Sequence, residues 1–193
     1  MTLRLGILGS TRGNVMSAVV DAIEAGTLDA HINIVISDNR NAFILERATA
    51  DGILSRYLNP IGLSRSAYDE RVTESLHEVD VDLVLLIGYG RILSPSFIEA
   101  WQDKILNVHP SLLPKHKGLM DRAVHRSVLN AGETVSGCTI HYVNEDVDGG
   151  KILLQKTCPV MSDDTVDSLK ERVQKLEKEA YVEAIHLWEK GRL

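Results

Sequence analysis

Asn107-Val108-His109-Pro110-Ser111 holds two side chains that could flank one reacting carbonyl. An amide donates to a developing oxyanion, and an imidazole donates or exchanges a proton near neutral pH. In an extended chain alternate residues share a face, so Asn107 and His109 would stand on one side, about 6–7 Å apart. A plain structural role fits the same spacing, with Asn107 capping backbone groups and His109 in a buried hydrogen bond. Glu145-Asp146-Val147-Asp148-Gly149-Gly150 places three acids in four positions ahead of two glycines. An Asp opposite a His would orient the ring and favour its protonated form; a solvated turn accounts for the residues equally. The spacing is not that of a calcium loop, and no His/Cys set has zinc spacing. Gly9-Ser10-Thr11-Arg12-Gly13-Asn14 joins an apolar run to an amphipathic one. Exposed N–H groups at a helix start favour a phosphate, whereas a tight turn entering a helix is the alternative. It is neither GxGxxG nor GxxxxGK. His141, on an alternating segment with Thr139, is a candidate for the same cavity as His109, and His125 for an anion. His31, His77, His116 and His186 are expected at the surface or rim.

These groups need a scaffold, and the apolar patterning supplies one. Leu3 to Leu8 reads as a buried strand, Val15 to Ala25 as a helix and Ile32 to Ile36 as a second strand, the start of a βαβ unit. Helix over Ala42 to Ala50, strand over Ile53 to Leu58 and helix over Ser66 to Val79 follow. Val81 to Ile87 is almost wholly apolar, as expected of a strand covered on both faces. Pro95 suits the first turn of a helix. Ile105 to Val108 ends a strand at Pro110, which puts Asn107 and His109 at the edge where open α/β sheets bind ligands. Pro110 to Gly118 reads as a loop and Asp121 to Asn130 as a helix. Ser136 to Val143 and Lys151 to Pro159 alternate like more exposed strands. A last helix from Asp164-Thr165 to Trp188 has an apolar stripe of Val166, Leu169, Val173, Leu176, Ala180, Ala184 and Leu187. The fold class is α/β: a three-layer, open, mostly parallel twisted sheet with a Rossmann-like N-terminal half and a mixed C-terminal edge.

With 193 residues the chain suits one domain, so 1–193 is expected to be a single unit. Twenty-one Lys and Arg against 27 Asp and Glu give a net charge of -6, which argues against a broad nucleic-acid face. Cys138 and Cys158 form no CxxC pair and read as packing residues. No leader-like segment and no run of 18 apolar residues is present, so a cytoplasmic chain without a membrane partner is expected.

Taken together, GSTRGN, YGRILSPSF at 89–97, ILNVHPSLLPKHKG at 105–118, GCTIHYVNEDVDGG at 137–150 and ILLQKTCPV at 152–160 resemble the phosphoribosylglycinamide formyltransferase family over essentially the whole chain. The resemblance implies Asn107, His109 and Asp148 as a catalytic trio. They would pass a formyl group from the co-substrate 10-formyltetrahydrofolate to the amine of 5'-phosphoribosylglycinamide, with His109 protonated and held by Asp148, and without a metal. It implies that backbone N–H groups of Arg12, Gly13 and Asn14 hold the substrate phosphate and Glu177 a ribose hydroxyl. The pterin is assigned to Tyr89, Gly90, Arg91, Ile92 and Leu93, closed by backbone from Val143 through Asp146 to Asp148, and the folate glutamate to Arg65. Small-molecule substrates, no nucleic acid, and a monomer or weak homodimer are implied as well. A bulky residue at Gly13 is expected to weaken the ribonucleotide more than the folate. Two departures stand out: the family often has glycine at the place of Arg12, and the segment around 119 to 125 is longer than its compact form. A 10-formyltetrahydrofolate hydrolase shares the trio but normally has a regulatory domain ahead of it. Methionyl-tRNA formyltransferase needs a second domain that contacts nucleic acid. A folate- or phosphate-binding module without turnover is the non-enzymatic alternative.

Overall fold

The structure, a computed structural model, describes residues 2–191. Its contacts divide into two compact units, 1–107 and 108–193. In the first, β1 (Leu3–Leu8), β2 (Ala30–Ser37), β3 (Ser55–Tyr57), β4 (Leu83–Leu86) and the start of β5 (Ile105–His109) alternate with α1 (Met16–Glu24), α2 (Phe43–Ala50), α3 (Arg65–His77) and α4 (Pro95–Ala100). Every strand pair here is parallel, in the order β3-β2-β1-β4-β5, because each helix returns the chain to the same end of the sheet. Leu5, Ile7, Leu8, Ile34, Ile36 and Leu83 are fully buried, which explains the near-continuous apolar runs. Ser64 and Ser94 accept from the N–H groups of Ala67 and Phe97 and so start α3 and α4, with Pro95 in the first turn of α4 as expected. β3 and β4 are shorter than the expected strands, although Leu54, Leu58 and Ile87 still make backbone hydrogen bonds to the neighbouring strands just beyond their ends.

The second unit holds α5 (Arg122–Asn130), the antiparallel pair β6 (Val135–Tyr142) and β7 (Ile152–Pro159), and α6 (Val166–Lys190). This antiparallel pair is the mixed element foreseen for the C-terminal edge. Pairing runs from Val135 opposite Pro159 to His141 opposite Ile152 and slips between Ile140 and His141. Thr165 and Ser168 form a capping box at the start of α6. The buried face of α6 comprises Leu169, Val173, Glu177, Ala180, Tyr181, Ala184, Ile185 and Trp188. The buried face is centred near Glu177 and Ala184, so Val166 and Leu176 lie at its margin, half-buried, and Leu187 is 39% exposed. The expected stripe is corrected at Val166, Leu176 and Leu187: it followed residue type, whereas burial follows the face that packs on the core. Burial pushes the Cys138 thiol up to about 12, which fits a packing role. Among the described residues no helix is long and apolar enough to cross a membrane.

Gly13 bears on the first loop. Its φ is +66°, and a Cβ there would lie 2.4 Å from Cγ1 of Ile44, a fully buried residue. A side chain at this position would disturb the core as well as the loop. Gly13→Val should lower stability by about 2 kcal/mol or more, through a strained backbone and overpacking, and weaken both ligands together. Denaturant unfolding followed by circular dichroism checks this.

Candidate active site

β5 ends in the two residues singled out for chemistry. Asn107 is half-buried, and its backbone lies opposite Leu86 of β4. His109 is buried at 3% exposure, and the pleat gives the two side chains one side of the strand. Within the second unit Asp148 faces His109, with Oδ2 3.3 Å from Nδ1. Its other oxygen lies 3.6 Å from Nε2 of His141, whose Nδ1 is 2.8 Å from the Tyr142 carbonyl. The backbone N–H of Gly118 also donates to Asp148 Oδ2 at 2.9 Å. Two imidazoles and one amide thus surround a single carboxylate.

The turn that aims Asp148 is built by its neighbours. Asn144 Oδ1 accepts from the N–H of Asp146, and the Asp146 carbonyl accepts from that of Gly149. Asp148 adopts the left-handed region at φ 53°. A Cβ on Gly150 would sit 1.7 Å from the Tyr142 carbonyl oxygen, so only glycine lets the chain re-enter β7 here. Asp146 points elsewhere: its carboxylate is exposed and pairs with Lys117 at 2.6 Å. Val143 is half-buried just after β6.

The electrostatics follow from burial and partners. Burial pushes the Asp148 carboxyl up, but hydrogen bonds from His141 and Gly118 and the charge of His109 outweigh it, leaving Asp148 below the usual carboxylate range. For His109 burial is the largest influence and lowers its value; Asp148 and the His116 carbonyl oppose this and His141 adds to it. The balance lies below 6.5, so the neutral ring is the resting form at neutral pH. The resemblance implies a protonated His109 in the reaction; burial works against that charge, and Asp148 and the His116 carbonyl work for it. Nε2 of His109 lies 3.2 Å from the backbone carbonyl oxygen of His116. A carbonyl only accepts, so this contact is a hydrogen bond only when Nε2 carries hydrogen.

His116, expected at the surface or rim, is half-buried. Its side chain is 11% exposed and its Nδ1 meets Ser127 Oγ at 2.8 Å. The role of a backbone carbonyl leaves no trace in residue type, so no pattern could have pointed to it. His125 is buried as well, pushed down to about 4 by burial and by Lys170. The longer segment is fastened to α6 by two ion pairs, Asp121 with Lys170 and Arg122 with Asp167.

In the first unit, Ser10 Oγ donates to Asp38 Oδ1 at 2.6 Å and accepts from the N–H of Gly90 at 2.8 Å, tying the glycine-containing loop to the Tyr89–Leu93 segment. Arg12 is exposed, with its guanidinium 5.6 Å from the Phe43 ring centre, and Asn14 Oδ1 accepts from Arg47 at 3.4 Å. Tyr89 and Leu93 are buried whereas Gly90 and Ile92 are exposed, so backbone and Ile92 are what this segment offers a ligand. Arg91 lies 4.4 Å above the Tyr68 ring, and Arg65 is exposed at the start of α3.

A family model described as formyl transferase matches residues 3–185. The trifunctional purine biosynthetic protein adenosine-3 of Bos taurus is 42% identical over 189 residues; these cover 97% of this chain but only 18% of that protein. The phosphoribosylglycinamide formyltransferase of Escherichia coli K12 is 37% identical over 195 residues, covering 99% and 89% of the two chains. The crystal structure of glycinamide ribonucleotide transformylase 1 from Symbiobacterium toebii superposes with a TM-score of 0.94 at 39% identity, covering 100% of this chain and 90% of that one.

Glu177 offers a test of the site's electrostatics. Burial raises its carboxyl to about 7, so the folded protein keeps a proton that the unfolded chain releases near 4.5. Its contribution is fully present below about pH 4.5 and is lost as pH rises through about 7. Glu177→Gln mimics the protonated acid, so the variant should match the unaltered protein at low pH. Above neutrality it should be more stable, on the order of 2–3 kcal/mol. Urea unfolding at several pH values reads this directly.

Proposed function

The chain belongs to the formyl transferase family, and from that premise we propose that it transfers the formyl group of 10-formyltetrahydrofolate to the amine of 5'-phosphoribosylglycinamide in purine biosynthesis. The observation that carries the reading is the Asp148 carboxylate 3.3 Å from Nδ1 of His109, on the strand that also bears Asn107. The amine attacks the formyl carbon and an electron pair moves onto the formyl oxygen. The Asn107 amide and the Nε2–H of His109 donate to that oxyanion, the kind of stabilisation that lowers a transfer barrier most. To reach that N–H, the oxygen takes over the place of the His116 carbonyl. His109 enters the step with its second proton already taken from solvent, Asp148 steadies that charge, and the same carboxylate holds a water that carries the amine proton to the departing folate nitrogen. The C–N bond to the folate breaks, giving the N-formyl product and tetrahydrofolate.

Around this centre the family pattern assigns the substrate phosphate to Arg12, Gly13 and Asn14 and the ribose to Glu177. A buried, protonated Glu177 can donate to a ribose hydroxyl as well as accept from one. The pterin goes to residues 89–93 and the 143–148 turn, and the folate glutamate to Arg65. Both reactants are small molecules, and the reading needs neither a nucleic acid nor a membrane.

The deciding experiment incubates purified protein with 10-formyltetrahydrofolate, with and without phosphoribosylglycinamide. Tetrahydrofolate formed only with the amine is the expected outcome; equal turnover without it would mark a hydrolase and overturn the proposal. Asn107→Ala, His109→Ala and Asp148→Ala should each cut kcat by about 10²–10³-fold with the fold intact, read by the same assay and circular dichroism. An Asp148→Ala protein with undiminished turnover would remove that residue from the mechanism.

A further inference from the structure

We propose that His116 is a positioning residue for the formyl transfer: anchored through Ser127 and Glu133, it holds its backbone carbonyl against Nε2 of His109, so that the nitrogen due to meet the formyl oxygen already carries a proton. This rests on the transfer reading above for its purpose, though not for its geometry.

An imidazole paired with one carboxylate is satisfied as a neutral ring, with hydrogen on the nitrogen facing the carboxylate and a lone pair on the other. Such a ring is a base. His109 instead meets an acceptor at each nitrogen, Asp148 Oδ2 at 3.3 Å from Nδ1 and the His116 carbonyl at 3.2 Å from Nε2. Both contacts become hydrogen bonds only when both nitrogens are protonated, and the ring is then a donor. The carbonyl therefore turns His109 from a proton acceptor toward the oxyanion donor that the transfer needs. It also stands where the formyl oxygen would stand, so the N–H is oriented before the substrate arrives.

The carbonyl is held by its own residue. His116 lies in the left-handed region at φ 59°, which a residue with a Cβ adopts only when its surroundings impose it. Its Nδ1 meets Ser127 Oγ on α5 at 2.8 Å; its buried Nε2 makes no hydrogen bond and lies 3.9 Å from Glu133, an ion pair only when the ring is protonated. Lys115 bonds both oxygens of Glu133, at 2.9 and 2.7 Å, and keeps that carboxyl below its usual range. A cavity of about 230 Å³, lined by Leu112, Leu113, Val128 and Val135 among others, adjoins His116 and Glu133. The contact with Ser127 is the hydrogen bond that fixes the ring. The groups that act on the charge of His109 are Asp148 from the turn after β6, His141 from β6 and His116 from the loop, while His125 on α5 feels His109 in return.

Ser127→Ala and Glu133→Gln loosen the anchor without touching His109, and Ser127→Thr keeps the hydroxyl. Nitrogen NMR of labelled histidine, with His109 assigned by its loss in His109→Asn, follows the titration of both ring nitrogens in the ligand-free protein. The loosened variants should titrate at His109 about half a unit lower than the unaltered protein, with Ser127→Thr unchanged. The alkaline limb of kcat/KM should move down with it, giving about a threefold loss at pH 7.5 that lower pH restores. A purely structural defect would not be rescued by pH. If the His109 titration in both loosened variants overlays that of the unaltered protein, the proposal is wrong. A shifted titration in a protein that transfers no formyl group would uphold the positioning contact and overturn the transfer reading instead.

Discussion

A buried imidazole and a half-buried carboxylate in contact form the constraint on which the site depends. Each alone would be costly: burial drives His109 toward its neutral form and works against charge on Asp148. Together, with the Gly118 N–H and His141 also on the carboxylate, Asp148 remains ionised and His109 keeps a partner ready for its second proton. The pair is poised rather than permanently charged. A group that must carry positive charge only while an oxyanion exists is well served by that balance.

Local chain chemistry delivers the two partners. His109 arrives on β5, whose hydrogen bonds to β4 fix the pleat and so the side that Asn107 and His109 share. Asp148 arrives on a turn closed by Asn144, Asp146 and Gly149, with Gly150 required by the Tyr142 carbonyl. The loop from Lys115 to Gly118 then supplies backbone on both sides of the pair, a carbonyl to His109 and an N–H to Asp148. Backbone groups contribute as much here as side chains do.

Much of this was legible before any coordinates. Long apolar runs such as Leu3–Leu8 announce strands because a parallel sheet buries both faces, and Ser94-Pro95 and Thr165 announce helix starts because caps need those side chains. Asn107 and His109 could be paired by alternation alone, but nothing local says that Asp148, far along the chain, faces the ring. The family pattern supplied that link and the geometry agrees with it. Three features stayed hidden for physical reasons. Glu177 was named through the resemblance, but its burial was not, because a carboxylate interrupts the apolar stripe; the tight contact of Gly13 with the core depends on Ile44, distant in sequence; and His116 meets His109 through a carbonyl that every residue possesses.

The most direct measurement of the central claim is the titration of His109 by nitrogen NMR in the unaltered protein and in Asp148→Asn. If the carboxylate holds the second proton on the ring against burial, replacing it should lower the His109 titration by about one unit or more. Superimposed titration curves would contradict the claim, since the carboxylate would then exert no hold on the ring it touches.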